Sequence, residues 1–296
     1  MEDKKIEFSS QEDENEDFEQ IKKNLTEKIS NIPPVQQNVQ SHEEQFVVPS
    51  EYIILPSKGK LYPKESALYR MEEIEVRHLT QPDEDILTSR SLIRNGKMVN
   101  VLLKQCIKNK MINPEELVVG DKNAVMVFLR VSGYGKDYLV DITCPTCGEE
   151  AVNYPFNLSE LQANMLDIDP VEDGENRFCY KTSKGNEFEF KYLNSREEKE
   201  ISDMLEKVKK NTKSEIDHRI SFRSKNQILS INGNEDKRFI NKYCDVMLTI
   251  ERRELYKFIN DNEPDIIFKQ EFECSNCGSK REVNIPITTE FFWPET

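Results

Sequence analysis

Two Cys-x-x-Cys-Gly runs lie far apart in the chain, Cys144-Pro145-Thr146-Cys147-Gly148 and Cys274-Ser275-Asn276-Cys277-Gly278, and no other feature restricts the fold as strongly. Each run is a turn that sets two sulfurs one metal-ligand spacing apart, and its glycine lets the backbone point amide hydrogens at the thiolates. Two such knuckles supply the four ligands of a tetrahedral site, which points to one structural Zn2+ ion held by Cys144, Cys147, Cys274 and Cys277. The flanks agree. Val152-Asn153-Tyr154-Pro155-Phe156 follows the first knuckle and Val283-Asn284-Ile285-Pro286-Ile287 the second, so one strand–knuckle–strand unit is written twice, offset by one residue. The expected arrangement is two hairpins facing each other across one ion, with their return strands side by side. The pairs are 127 residues apart, so the ion closes a long loop, where closure has its largest entropic effect.

Other uses of four sulfurs fit less well. A redox dithiol usually sits at a strand-to-helix junction, whereas both pairs here read as lying between strands. Iron–sulfur ligation is chemically open to the same sulfurs, but no electron-transfer context accompanies it. A catalytic ion needs an open coordination position, and four thiolates leave none. The cysteine count is seven, odd, and no apolar leader precedes it in MEDKKIEFSSQEDENEDFEQ, which argues against a disulfide framework. Cys106 and Cys244 read as small buried hydrophobes.

A formal net charge of −14 and a pI near 4.9 oppose any whole-chain affinity for phosphate backbones or anionic lipid. A nucleic-acid-reading ribbon is disfavoured locally as well, because Lys280 and Arg281 near the second knuckle are matched by Glu149 and Glu150 after the first. No run approaches the ~18–20 apolar residues of a membrane helix. Catalytic groups are scarce. The three histidines, His42, His78 and His218, are isolated, and neither a Gly-x-Ser-x-Gly elbow nor a Gly-rich nucleotide loop is present. The reading is a soluble protein that is not an enzyme.

Along the chain, residues 1–44 read as a disordered acidic tail broken by Pro33 and Pro34. Within it Phe18, Ile21, Leu25 and Ile29 would stripe one face of a short helix, either a partner-binding peptide or a segment that packs on its own domain. Residues 45–143 form an N-terminal α+β region. It holds a turn-rich loop from Pro56 to Pro63, a half-buried strand at 73–79, and helices opening near Pro82, at Met98–Ile107 and after a capping Asp121. Residues 144–296 form a C-terminal region closed onto the first knuckle by the zinc site. In it we expect a return strand at 151–156, a short helix at 158–166 and a hairpin around Ser183–Asn186. A helix opened by Ser195 and Glu198 follows, then a polar stretch at 211–235, one long helix over 236–260 and a strand at 266–273. The fold class is α+β: helical segments with short antiparallel hairpins and a four-cysteine, zinc-ribbon-like module joining the two knuckles.

Several segments in this order resemble the baseplate hub assembly proteins of T-even-type tailed phages. They are Leu55-Pro56-Ser57-Lys58-Gly59-Lys60-Leu61-Tyr62-Pro63, then EIEVRHLTQPDEDILTS, then LVVGDKNAVMVFLRVSGYGKDY running into CPTCG, and the tail DIIFKQEFECSNCG…VNIPITTEFFWPET. The Phe291-Phe292-Trp293-Pro294 ending is the most characteristic. The resemblance spans roughly residues 45–296 and is thinnest over 195–235. It implies a non-enzymatic phage protein acting in baseplate hub formation, as a chaperone that binds hub subunits or as a hub subunit retained in the virion. Its partners would be other baseplate or hub proteins, with self-association left open. It would act in the host cytoplasm during assembly, or in the tail baseplate. Phe291, Phe292 and Trp293 either dock on such a partner or pack over the zinc hairpins.

Overall fold

The alternation in EIEVR sets the N-terminal framework: in β2 (Glu73–Arg77) Ile74 and Val76 point into the core and the residues between them stay outside or half-buried. Its partner is β1 (Ser50–Ile54), antiparallel, with Ser50 opposite Arg77 and Ile54 opposite Glu73. The computed structural model describes residues 47–212, 218–287 and 289–292. The acidic tail, with Phe18, Ile21, Leu25 and Ile29, lies outside them.

Three short helices follow, α1 (Gln81–Thr88), α2 (Arg90–Arg94) and α3 (Met98–Cys106). The start of α1 is fixed by Asp83, which accepts hydrogen bonds from the Thr80 amide and hydroxyl and a two-pronged pair from Arg77. Longer α4 (Val119–Tyr134) ends at Gly135, as the glycines predict. Gly120 in its first turn meets the chain at Pro264 so closely that an added Cβ would lie 1.9 Å from the Pro264 carbonyl oxygen.

Asp121 is not the cap expected of it. It lies inside α4, fully buried, and binds the Pro56–Pro63 loop instead. One carboxylate oxygen accepts from the Ser57 amide (2.9 Å), the other from the Ser57 hydroxyl (2.5 Å) and the Tyr62 hydroxyl (2.6 Å). Tyr62 in turn accepts from the Val118 amide at 3.1 Å. The two-proline loop is thus a structural turn pinned at both ends to the start of α4.

Beyond α4 the sheets are small and all antiparallel. β3 (Asp137–Thr143) pairs with β4 (Glu150–Asn157), and β10 (Lys269–Glu273) with β11 (Lys280–Asn284). A helix at 158–166 is not formed. Asn157 caps a single 3-10 turn at Leu158–Glu160 by accepting from the Ser159 amide, and Leu161 turns extended. The chain then supplies β5 (Gln162–Asn164) to a partner about a hundred residues away, β9 (Asp265–Ile267). The expected strand at 266–273 is accordingly two strands, β9 and β10.

The hairpin around Ser183–Asn186 forms as β6 (Phe178–Lys181) and β7 (Glu187–Phe190). It gains a third strand that the weak pattern at 211–235 conceals: β8 (Ile228–Ile231) adds to β7, burying Ile228 and Ile231. Ahead of it come α5 (Ser195–Thr212) and α6 (Arg219–Gln227). The reciprocal cap of α5 sits one residue earlier than expected: Asn194 accepts from the Glu197 amide while the Glu197 carboxylate accepts from the Asn194 amide. The long helix at 236–260 is two, α7 (Lys237–Val246) and α8 (Thr249–Asn262), because Leu248 between them is extended. That break lets Ile240 and Leu255 both reach the core, and it leaves Val246 and Ile250 outside.

One apolar cluster runs from Leu55 and Val76 through Leu102, Val125 and Phe156 to Phe190, Ile228 and Ile259, a smaller one joins Phe272 to Cys144 and Cys274, and Val48–Thr296 is a single compact unit. At the junction of α4, α5 and β9, Arg223 pairs with Glu198 (3.2 Å) and Glu263 (2.8 Å), Asn123 donates to Asp265, and Lys122 donates to Asn100. Burial holds the Lys122 amine down at about 8.

The Asp121 contacts yield two expectations. Burial pushes the carboxyl up to about 6 against the pull of Ser57 and Tyr62. Its unfolded value is near 4, so the folded state binds the extra proton in that window. Its contribution to stability is therefore full below pH ~4 and is lost as pH rises to about 6. Urea midpoints of the wild type relative to Asp121→Asn, taken at several pH values, should fall over that window and level off above it; a flat difference contradicts this titration. At pH 7, Tyr62→Phe should cost about 1–2 kcal/mol, and Asp121→Ala more, about 3 kcal/mol, because it strands several buried donors. Equal or negligible losses would show that the loop is held some other way.

Candidate metal centre

Each knuckle is built by the same two backbone bonds. In the first, the Cys144 amide donates to the Glu149 carbonyl (2.7 Å) and the Gly148 amide to the Cys144 carbonyl (2.9 Å). In the second, the Cys274 amide donates to Ser279 (3.0 Å) and the Gly278 amide to Cys274 (2.8 Å). Closing the turn this way requires a left-handed backbone at the residue after the second cysteine, and Gly148 (φ 77°) and Gly278 (φ 66°) supply it without a Cβ clash.

The two hairpins meet through their sides. Tyr154 of β4 packs edge-on against Phe272 of β10 at 4.8 Å, and its hydroxyl accepts from the Glu273 amide. Further along, Asn157 and Gln270 exchange hydrogen bonds between main chain and side chain. The contacts that join the hairpins therefore run from the return strand of the first to the entering strand of the second. This corrects the expected side-by-side return strands: the aromatic residues that can interlock, Tyr154 and Phe272, lie on those two strands.

This packing places the four sulfurs within 4.8 Å of one another. Cys144 Sγ is 3.8 Å from Cys277 Sγ, and Cys147 Sγ is 3.7 Å from Cys274 Sγ. Four thiolates about 2.3 Å from one ion in a tetrahedron stand about 3.8 Å apart, whereas disulfide sulfurs are about 2.0 Å apart. The spacing suits a shared ion and not a bond. Cys144 and Cys274 face inward against Phe272, Ile142, Ala151 and Val283, while Cys147 and Cys277 face solvent. Across the gap the Thr146 and Ser279 hydroxyls are 2.9 Å apart, and the Asn276 amide approaches Cys147 Sγ.

The electrostatics ask for a cation. Amide hydrogens of Cys147 and Thr146 draw the Cys144 thiol down to about 6. At Cys277 the Ser279 amide pulls the same way, but lost hydration and the three neighbouring sulfurs outweigh it and push that thiol to about 12. Four negative sulfurs cannot coexist at this spacing alone, and a bound dication removes the conflict. The donor set therefore fits a divalent ion of soft-ligand preference.

Phe291 and Phe292 are turned inward. Phe291 meets the Tyr138 ring at 5.3 Å and Phe292 at 5.1 Å, and both are buried. Of the two readings of these residues, this arrangement is packing on the first hairpin: Phe291 lies against Tyr138 of β3, whose hydroxyl donates to the Pro286 carbonyl. Trp293 lies outside the described residues. Cys106 is buried, its thiol pushed up to about 12 by loss of hydration. Lys280 is held by Glu273 (3.0 Å) and Glu271 (3.9 Å) of its own hairpin. Among the described residues, no helix is long and apolar enough to cross a membrane. The buried Asp121–Ser57–Tyr62 set escaped sequence reasoning, since nothing local marks a carboxylate that bonds 64 residues away.

The family described as T4 bacteriophage base plate protein matches residues 50–293. No curated protein and no solved structure matches the chain.

If the ion is zinc, the purified chain should carry one equivalent, measured by plasma mass spectrometry. Cys147→Ser or Cys277→Ser should strip it, and a strong chelator should lower the thermal midpoint by about 10 °C, the order expected when a long-loop cross-link is lost. A metal-free preparation with an unchanged midpoint contradicts the assignment.

Proposed function

Because the chain belongs to the T4 bacteriophage base plate protein family, we propose that it is a non-enzymatic assembly factor for the baseplate hub that binds hub subunits, with zinc as its structural ion. The family match over residues 50–293 carries this reading. The site supports it in kind. A four-thiolate shell has no open coordination position at which a substrate could bind, so its ion serves to hold hairpins together. Two groupings of charged side chains serve packing: the buried Asp121 holds a loop, and the half-buried Arg223 with Glu198 and Glu263 ties three elements. The chain would act in the host cytoplasm before or while the baseplate closes. Its partners would be other baseplate proteins.

Deleting the coding sequence from the phage should give particles or extracts lacking complete hubs, seen by electron microscopy, with rescue by the wild-type chain supplied in trans. Quantitative mass spectrometry of purified virions should find the chain absent or far below hub stoichiometry. A stoichiometric presence would make it a resident hub subunit, and normal hubs in its absence would overturn the assembly role altogether.

A further inference from the structure

Along α8 the glutamates are hydrogen-bonded to neighbouring elements, whereas the basic side chains carry no ion pair among the described residues. Glu251 is buried and accepts from Thr182, Asn186 and Tyr243. Glu254 accepts from the Ser183 amide and hydroxyl and from Tyr180. Both carboxylates are thus consumed by the β6–β7 hairpin and the end of α7. Arg252, Arg253 and Lys257 are left without a carboxylate partner among the described residues, with Arg252 lying over the Tyr256 ring at 5.4 Å. These side chains line one wall of a groove of about 890 Å³, and Ile220 and Ile250 line it as well. The lining also includes Arg223, already paired with Glu198 and Glu263, and two carboxylates, Asp261 and the hydrogen-bonded Glu254. At one end the α7–α8 corner presents Val246, Leu248 and Ile250, 74%, 56% and 70% exposed.

A solitary exposed aliphatic is ordinary, but three at one corner beside Ile220 form a patch that water wets poorly. The charge is equally out of character: a chain with 55 acidic and 41 basic residues has anions to spare, yet this strip has kept its cations unpaired. Apolar contacts flanked by unpaired cations are complementary to a segment with an apolar stripe and flanking carboxylates. Phosphate tracking fits less well, since Glu254 and Asp261 share the lining with the cations and the groove offers no row of exposed rings on which bases could stack.

We propose that this groove, between α6 and α8, docks an acidic, apolar-striped helical segment of another baseplate protein. The proposal rests on the assembly role given above but fails separately from it. The test places a photo-crosslinking phenylalanine analogue at Ile250 in the full chain, in cells assembling the phage, and maps the captured peptide by mass spectrometry. The expected product is one segment of a baseplate protein, net negative, with apolar residues at helical spacing. Arg253→Glu together with Lys257→Glu should lower its yield at least tenfold with the thermal midpoint unchanged. Capture of nucleic acid, of a second copy of this chain or of a basic segment overturns the proposal, as does a yield that ignores the charge reversal. Should the chain enter baseplate complexes while Ile250 captures nothing, the groove is wrong and the assembly role stands. Should the chain enter no such complex, the assembly role fails first.

Discussion

The approach of Cys144 and Cys147 to Cys274 and Cys277 is the constraint that organises the C-terminal half of the molecule. The two knuckles stand 127 positions apart, and the described residues between them include four α-helices and a three-stranded sheet. In the unfolded chain, bringing such distant points together is an entropic cost that grows only slowly with length, so a cross-link over ~100 residues contributes on the order of 4–5 kcal/mol. The hairpins are short, and a two-stranded hairpin is marginal alone. Tyr154 against Phe272, and the Asn157–Gln270 exchange, align them; an ion at their tips would fix that alignment.

A second constraint governs the N-terminal half. Asp121 joins the Pro56–Pro63 loop to α4, and the β5–β9 pairing with the close contact at Gly120 brings the segment after α8 against the same helix. The first helix turn of α4 thus touches both the Pro56–Pro63 loop and the segment at Pro264. A buried carboxylate is a costly choice for this position unless every oxygen is bonded, and here both are.

What could be read directly from the sequence was whatever announced itself locally. The duplicated knuckles, their glycines, the alternation in EIEVR and the helix boundaries at Pro82 and Gly135 all carry their physics within a few residues. The misreadings are cases where distant partners decide. Gln162–Asn164 is a strand only because Asp265–Ile267 is there to pair with it, and Ile228–Ile231 only because β7 has a free edge. Phe291 and Phe292 left docking and packing both open in one dimension, and in three they are buried, with Phe291 against Tyr138 of β3. The four clustered sulfurs were legible, since residue type and spacing are local, but which strands join the two hairpins was not. The groove on α8 was not, because it depends on which carboxylates the β6–β7 hairpin consumes.

Membership of the base plate family gives this architecture its setting, a chain whose two distant hairpins bring four sulfurs together. The central claim is that four sulfurs from two distant knuckles surround one ion. X-ray absorption at the zinc edge of the purified chain tests it most directly. The expected spectrum is a single shell of four sulfurs at about 2.3 Å; a shell containing nitrogen or oxygen, or metal-free protein with sulfurs bonded at about 2.0 Å, would rule the shared ion out.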